Sequence, residues 1–166
     1  MASGIPVYSF IAYSGTGKTT LLEKLILEFK KRGFRVAAVK HDAHEFEIDY
    51  PGKDSWRMTQ AGADVTIIAS STHAAIMENR PVDTETLLSR IADVDIILTE
   101  GYRYGNWPKI GIFREAAGKP LPEVEGAYLA VLCDTPYETS VPCFGLNDVK
   151  ALADFLIEDL QHRITI

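Results

Sequence analysis

The sequence predicts an α/β fold of three layers, in which helices flank a mostly parallel central sheet. The first observation is that short apolar segments alternate with amphipathic helical segments along the 166 residues. The second is that a strand, a helix and another strand follow one another within residues 5–40. This βαβ unit implies that its two strands are parallel and joined by a right-handed crossover.

The βαβ unit contains three predicted elements. Residues 5–12, IPVYSFIA, are rich in β-branched and aromatic residues and are too few for a helix, so they predict a buried strand. Apolar residues at helical spacing, ending with Phe29, predict a helix over 17–31 that Gly33 ends. Residues 34–40, FRVAAVK, predict the second strand.

The later elements continue the alternation and include a candidate hairpin. They are a helix over 53–62, strands over 65–70 and 74–79, a helix over 84–92 capped by Asp83, strands over 94–101, 109–115 and 127–134, and a final helix capped by Asn147. The sequence contains neither a repeat nor a domain linker. We therefore expect residues 1–166 to form a single domain.

Composition excludes several classes of partner. The chain is 46% apolar and carries a net charge of −6, so it has no general basic surface for nucleic acid or anionic lipid. No apolar stretch reaches the ~18–20 residues of a membrane span, and the N-terminus does not resemble a signal peptide. Cys133 and Cys143 lie among apolar residues and are expected to be buried thiols. We expect a cytoplasmic protein.

The turn after the first strand carries the strongest motif. Residues 12–20, AYSGTGKTT, match the phosphate-binding P-loop pattern of glycine, four residues and Gly-Lys-Ser/Thr, except that Ala12 replaces the first glycine. That glycine mainly eases the bend after the strand, so we expect the alanine to be tolerated. The motif lies between a strand and a helix, as a P-loop requires, and therefore predicts the P-loop NTPase fold.

Each part of the P-loop has a predicted role. Backbone amides of the loop and the positive end of the helix dipole would hold the phosphates. Lys18 would bridge phosphate oxygens, and the Thr19 hydroxyl would occupy one position on Mg²⁺. The predicted phosphate-binding residues are Ser14, Gly15, Thr16, Gly17, Lys18, Thr19 and Thr20.

Acidic residues after two strands are candidates for the second part of a magnesium site. Glu100 ends the apolar segment VDIILTE and is expected to bind Mg²⁺ and support catalysis. Asp42 follows the second strand and would bind Mg²⁺ through water or orient the attacking water; a loop acid or a helix cap is the equal alternative. Asp95, at the start of the same strand as Glu100, is the weaker candidate.

Two further groups of residues invite functional hypotheses. His41, His44 and Glu45 could ligate zinc, although polar loop residues near a nucleotide are the simpler interpretation. The second group consists of basic residues near predicted loop ends, which singly would be solvated charges and together could form a second anion site. These are Lys53, Arg57, Arg103, Lys109 and Arg114.

Several segments together resemble a known family. The segments SGTGKTTLLEKLI, VKHDAHEFEIDYPGKDSWRMTQAGA, DIILTEGY and KIGIFR are similar to those of molybdopterin-guanine dinucleotide biosynthesis adapter proteins (MobB). The resemblance implies a homodimer that binds GTP with Mg²⁺, hydrolyses it slowly and assists a molybdopterin guanylyltransferase. Gly15 to Thr20 match the family's phosphate loop, Glu100 its second acidic motif, and Asp49, Lys53, Asp54 and Ser55 its PGKDS segment. Lys53 is therefore a candidate nucleotide-binding residue.

The preference for guanine follows only from the resemblance, because the sequence has no Asn/Thr-Lys-x-Asp motif. Asp134, after the last long strand, could accept hydrogen bonds from the guanine N1 and N2 groups. Slow hydrolysis is expected since no glutamine or arginine is recognisably placed to stabilise the transition state.

Two alternatives belong to other functional classes. A small-molecule kinase would use Arg57, Arg103 or Arg114 to hold its acceptor, but the sequence shows no arginine-rich lid. A metal-delivery GTPase would use His41 and His44.

Overall fold

The computed structural model describes residues 4–41 and 46–164, which form two compact units. The first unit contains residues 4–41 and 92–164, and the second contains residues 46–91. The expectation of a single domain over 1–166 stays a prediction.

The elements follow the predicted alternation. In chain order they are β1 (Val7–Ile11), α1 (Lys18–Lys31), β2 (Val36–Lys40), α2 (Asp54–Gln60), β3 (Val65–Ala69), β4 (Ala74–Glu78), α3 (Thr84–Ser89), β5 (Ile96–Glu100), β6 (Lys109–Phe113), a short 3-10 helix (Glu115–Ala117), β7 (Tyr128–Cys133), β8 (Cys143–Gly145) and α4 (Val149–Ile164).

The first unit is built on a six-stranded sheet in the order β2-β5-β1-β6-β7-β8, and all of its strand pairs are parallel. This confirms the predicted α/β fold with a mostly parallel sheet flanked by helices. Because parallel strands end at the same edge, the loops that follow β1, β5, β6 and β7 meet there. The strand register aligns Phe10 of β1 with Glu100 of β5, which brings the acid to the level of the P-loop.

The core of the first unit lies between the sheet and helices α1 and α4. Leu25 and Phe29 of α1 and Leu156 of α4 are fully buried against Phe10 and other sheet residues. The Tyr8 hydroxyl ties β1 to α4 by donating to Asp159 Oδ2 at 2.7 Å. Burial raises the pKa of Tyr8, so this hydroxyl remains a donor at neutral pH.

The second unit contains α2, the β3–β4 hairpin and α3. The two strands pair antiparallel, with Ile67 opposite Ile76, which confirms the predicted hairpin. The Thr59 and Thr66 hydroxyls lie 2.9 Å apart and link α2 to β3. Asp83 caps α3 as predicted, because its Oδ1 accepts a hydrogen bond from Thr86 N at 2.9 Å.

Four details differ from the predictions. Asp148, not Asn147, precedes the first residue of α4, and its carbonyl accepts from Leu152 N. Strand β8 was missed because it has only three residues and follows a proline. Helix α3 ends at Ser89 rather than at residue 92. Cys143 is exposed on the short edge strand, so the expectation of a buried thiol is wrong for it.

No helix in the described part of the chain is long and apolar enough to span a membrane.

Candidate functional site

The loop between β1 and α1 adopts the backbone conformation that a phosphate cradle needs. Gly15 and Gly17 have φ angles of 82° and 88°, which residues with a Cβ rarely adopt. Gly17 is the N-cap of α1, and its carbonyl accepts the first hydrogen bond of the helix from Leu21 N at 3.0 Å. The amides of the first helical turn precede this bond, so they are donors available to an anion.

Two side chains fix the loop. Buried Thr16 donates its hydroxyl to the Tyr13 carbonyl at 2.9 Å. Lys18 Nζ donates to the Ala12 carbonyl at 3.2 Å. The Ala12 methyl group is partly buried against the hydrophobic core, so alanine fits at the position where the motif has glycine.

Thr19 and Lys18 meet Glu100 at the sheet edge. The Thr19 hydroxyl donates to Glu100 Oε2 at 3.1 Å, and Lys18 Nζ lies 3.7 Å from Oε1 of the same carboxylate. A hydroxyl and a carboxylate are the oxygen ligands that Mg²⁺ uses beside the phosphates of a nucleotide. Thr19 and Glu100 therefore fit a Mg²⁺–nucleotide complex, and the structure places these two of the three predicted metal ligands next to each other.

A cavity of about 630 Å³ opens on the other side of the P-loop. Its walls come from the P-loop, from the ends of β6, β7 and β8, and from the turn before α4. They include Thr16, Gly17, Thr20, Lys24, Arg114, Cys133, Asp134, Asn147 and Asp148. Its position beside the helix N-terminus makes it the space available to the rest of a nucleotide.

Asp134 lies in the wall of this cavity. Its Oδ1 accepts a hydrogen bond from Glu115 N at 2.9 Å, which fixes the direction of the carboxylate. Neighbouring Cys133 is a neutral thiol at physiological pH, because burial and the hydrogen bond with Cys143 raise its pKa to about 11. The cavity wall around Asp134 therefore has one carboxylate and one uncharged sulfur.

Arg114 is the residue whose place the sequence did not reveal. It follows β6 directly, and its Nη2 lies 3.2 Å from where a Cβ of Gly17 would be. Its Nε is buried and has no hydrogen-bond partner among the described residues. The sequence feature that could have identified Arg114 is its position at the carboxyl end of a parallel strand. The P-loop, Glu100 and Asp134 were selected because they lie at the carboxyl ends of β1, β5 and β7.

The other two basic candidates of the first unit, Lys109 and Arg103, do not line this cavity. Lys109 is only 5% exposed and donates to the carbonyls of Trp107 and Glu125, so the expectation of a solvated charge is wrong for it. Its position in the middle of the sheet, opposite Ser9 of β1, explains this burial. Arg103 lies over the ring of Tyr104.

Three further candidate residues, Lys53, Arg57 and Asp95, lie away from the P-loop residues in the structure or belong to the second unit. Lys53 and Arg57 belong to the second unit, where Lys53 precedes α2 and Arg57 lies 3.7 Å from Asp54. Asp95 is at the end of β5 away from Glu100, and hydrogen bonds from Arg35 lower its pKa to about 2.

Some metal-site candidates cannot be placed. Asp42, His44 and Glu45 lie outside the described residues, so their roles stay predictions. Within residues 4–41 and 46–164, no three His, Cys, Asp or Glu side chains form a metal-binding group.

The parallel sheet, the glycine loop at the start of α1, and the pair of Thr19 and Glu100 define the P-loop NTPase class of fold. Comparison with known proteins narrows this class. A family model described as molybdopterin guanine dinucleotide synthesis protein B (MobB) matches residues 7–134. The chain therefore belongs to the MobB family.

Individual relatives agree with this assignment. The molybdopterin-guanine dinucleotide biosynthesis adapter protein of Escherichia coli (strain K12) is 41% identical over 167 residues, covering 96% of this chain and 95% of the relative. The adapter protein of Haemophilus influenzae is 39% identical over 166 residues, covering 98% of this chain and 93% of the relative.

Solved structures show the same fold. The crystal structure of Bacillus subtilis MobB superposes with a TM-score of 0.75 at 24% identity, over 93% of this chain and 97% of that one. A crystal structure of molybdopterin-guanine biosynthesis protein B gives a TM-score of 0.70 at 27% identity, over 92% and 98% of the two chains.

Proposed function

We propose that this chain is a GTP-binding adapter in molybdopterin-guanine dinucleotide biosynthesis. It binds GTP with Mg²⁺, hydrolyses it slowly and assists the guanylyltransferase that joins GMP to molybdopterin. The observation that carries the nucleotide-binding part is the meeting of Lys18 and Thr19 with Glu100 at the open N-terminus of α1. The names of its relatives support the biosynthetic part.

Different groups of the site bind the phosphates and the metal ion of GTP. The loop amides from Ser14 to Thr19 and the dipole of α1 bind the phosphates. Lys18 contributes a positive charge to them, and Thr19 and Glu100 hold Mg²⁺. When bound, the metal neutralises charge on the β- and γ-phosphates.

The carboxylate of Asp134 is proposed to select guanine. It lines the cavity and is oriented by the backbone of Glu115. A carboxylate accepts two hydrogen bonds side by side, and guanine presents N1–H and N2–H in that arrangement. Adenine has no such pair of donors.

Slow hydrolysis fits the groups around the metal site. The described side chain that reaches both Lys18 and Thr19 is the Glu100 carboxylate, which adds no positive charge to a transferring phosphoryl group. Asp42 remains the proposed group for orienting water.

The proposal includes a cytoplasmic homodimer that pairs through the β3–β4 hairpin. Ile67 and Ile76 face each other across the hairpin and are 64% and 65% exposed. Exposed apolar side chains clustered on a two-stranded sheet are typical of a surface that another chain covers.

The nucleotide proposal is tested with Lys18→Ala. We expect the variant to bind GTP about 10- to 100-fold more weakly in calorimetry with Mg²⁺, because a hydrogen bond to a charged group contributes about 1.5–3 kcal/mol. Lys31→Ala removes the same charge from the far end of α1 and is expected to bind normally.

Unchanged binding by the Lys18 variant would show that the P-loop assignment is wrong. Analysis of the products adds a second criterion. Slow release of inorganic phosphate supports the adapter, whereas a phosphorylated small molecule would support the kinase alternative.

A further inference from the structure

The side chain of Arg114 is partly buried. Its Nε is inaccessible to solvent and lacks a hydrogen-bond partner among the described residues. An N–H group that is shielded from water and left without a partner is unfavourable. Such a group is commonly satisfied by an ion or a water molecule that binds next to it.

The guanidinium lies against the P-loop itself. Nη2 would be 3.2 Å from a Cβ on Gly17, a closer contact than a Cβ usually makes, so the guanidinium lies directly beside the loop backbone. Gly17 is also the N-cap of α1. An anion held by the first turn of α1 is therefore next to both the helix dipole and the Arg114 fork.

The position of Arg114 relative to the P-loop indicates which phosphate of the nucleotide it would contact. Lys18, Thr19 and Glu100 form the side that fits Mg²⁺. Arg114 instead lines the cavity together with Thr16, Gly17 and Thr20. A nucleotide that places its terminal phosphate near the metal and its nucleoside in the cavity presents its α-phosphate between these two sides.

We propose that Arg114 binds the α-phosphate of the nucleotide, so that it recognises the nucleoside diphosphate portion shared by GDP and GTP. This inference rests on the proposed nucleotide site and deepens it. Arg114 is then a determinant of nucleotide affinity and has no contact with the γ-phosphate. The planar guanidinium can donate two parallel hydrogen bonds to phosphate oxygens, which lysine cannot do.

The test compares Arg114→Met with the wild-type protein. Methionine keeps an unbranched apolar stem in the cavity and removes the charge. We expect GDP and GTP to bind about 10- to 100-fold more weakly, by the same factor for both, in calorimetry.

Other outcomes would overturn the inference. Equal binding by the variant and the wild-type protein would show that Arg114 is not a ligand. A loss confined to GTP, with slower hydrolysis, would place Arg114 on the γ-phosphate instead. If the wild-type protein binds neither nucleotide, the proposed function itself fails and this inference fails with it.

Two further variants keep the result interpretable. Arg35→Met removes a guanidinium from the opposite edge of the sheet, where Arg35 pairs with Asp95, and is expected to bind both nucleotides normally. Arg114→Lys retains the charge but not the fork, so we expect an intermediate loss for both nucleotides. If circular dichroism shows that the methionine variant is unfolded, the lysine variant decides the question by the same GDP-to-GTP comparison.

Discussion

At the scale of single residues, Gly17 satisfies two requirements that are usually separate. Its φ of 88° belongs to the left-handed region, and its missing side chain makes room for Arg114. Gly15, with a φ of 82°, satisfies only the first requirement, because nothing lies within 4 Å of its Cβ position. A substitution at Gly15 therefore adds only backbone strain, whereas a substitution at Gly17 adds backbone strain and a steric contact with Arg114.

We predict that Gly17→Ala destabilises the nucleotide-free protein more than Gly15→Ala does. Both variants carry left-handed strain of roughly 1–2 kcal/mol, and the first must also shift the end of the Arg114 side chain by a few tenths of an ångström. Denaturant unfolding measures the difference. In the Arg114→Met background, the excess cost of Gly17→Ala is expected to disappear; an excess that persists would contradict the steric explanation.

At the scale of elements, the β3–β4 hairpin stands out because an isolated two-stranded hairpin is marginally stable in water. The register pairs Val65 with Glu78 and Ile67 with Ile76, so one apolar cross-strand pair lies at the centre of the exposed surface. Covering it in a dimer would remove the area from water, and each buried isoleucine contributes about 1.5–3 kcal/mol.

If the exposed pair Ile67 and Ile76 is the dimer interface, Ile67→Lys should weaken self-association. We expect the proposed dimer to dissociate at least about tenfold more readily, because each copy loses apolar burial and gains a charge to desolvate. Sedimentation equilibrium over a range of protein concentrations measures this constant. Met58→Lys changes another exposed apolar residue of the same unit, on α2, and should leave the dimer intact. Equal weakening by both variants would exclude the hairpin as the specific interface.

At the scale of the whole molecule, the proposed role requires that the nucleotide alters what a partner enzyme binds. The two compact units contain different candidate surfaces: the first holds the proposed nucleotide site, and the second holds the exposed hairpin. A ligand changes partner binding only when the partner distinguishes the nucleotide states of the adapter. The relevant quantity is therefore the difference in partner affinity between GTP and GDP.

We predict that purified molybdopterin guanylyltransferase binds the wild-type chain more tightly with GTP and Mg²⁺ than with GDP. The coupling is expected to be about 5- to 150-fold, which corresponds to about 1–3 kcal/mol. Surface-immobilised binding measurements at saturating nucleotide would detect it. At nucleotide concentrations that saturate the wild-type protein but not Lys18→Ala, the variant should show a smaller difference in partner affinity between GTP and GDP. Absence of binding in every nucleotide state would contradict the adapter role.

Local patterns were sufficient for most of the fold. The βαβ start, the hairpin and the Asp83 cap each depend on residues close together in the chain, so short-range rules found them. The short-range rules failed where two neighbouring residues could fill the same role equally well. Asn147 and Asp148 are both good N-cap residues, and the turn in which Asp148 N donates to the Gly145 carbonyl selects Asp148.

The sequence by itself determined the P-loop, the parallel α/β fold and the acid at the end of β5, because each follows from residue type, spacing and the common edge of parallel strands. Only the tertiary structure decided how the basic residues differ. It buries Lys109 between strands, and it brings Arg114 against Gly17 although 97 positions separate them in the chain. Burial and contact of this kind depend on strand register and on neighbours distant in sequence, which spacing alone does not encode.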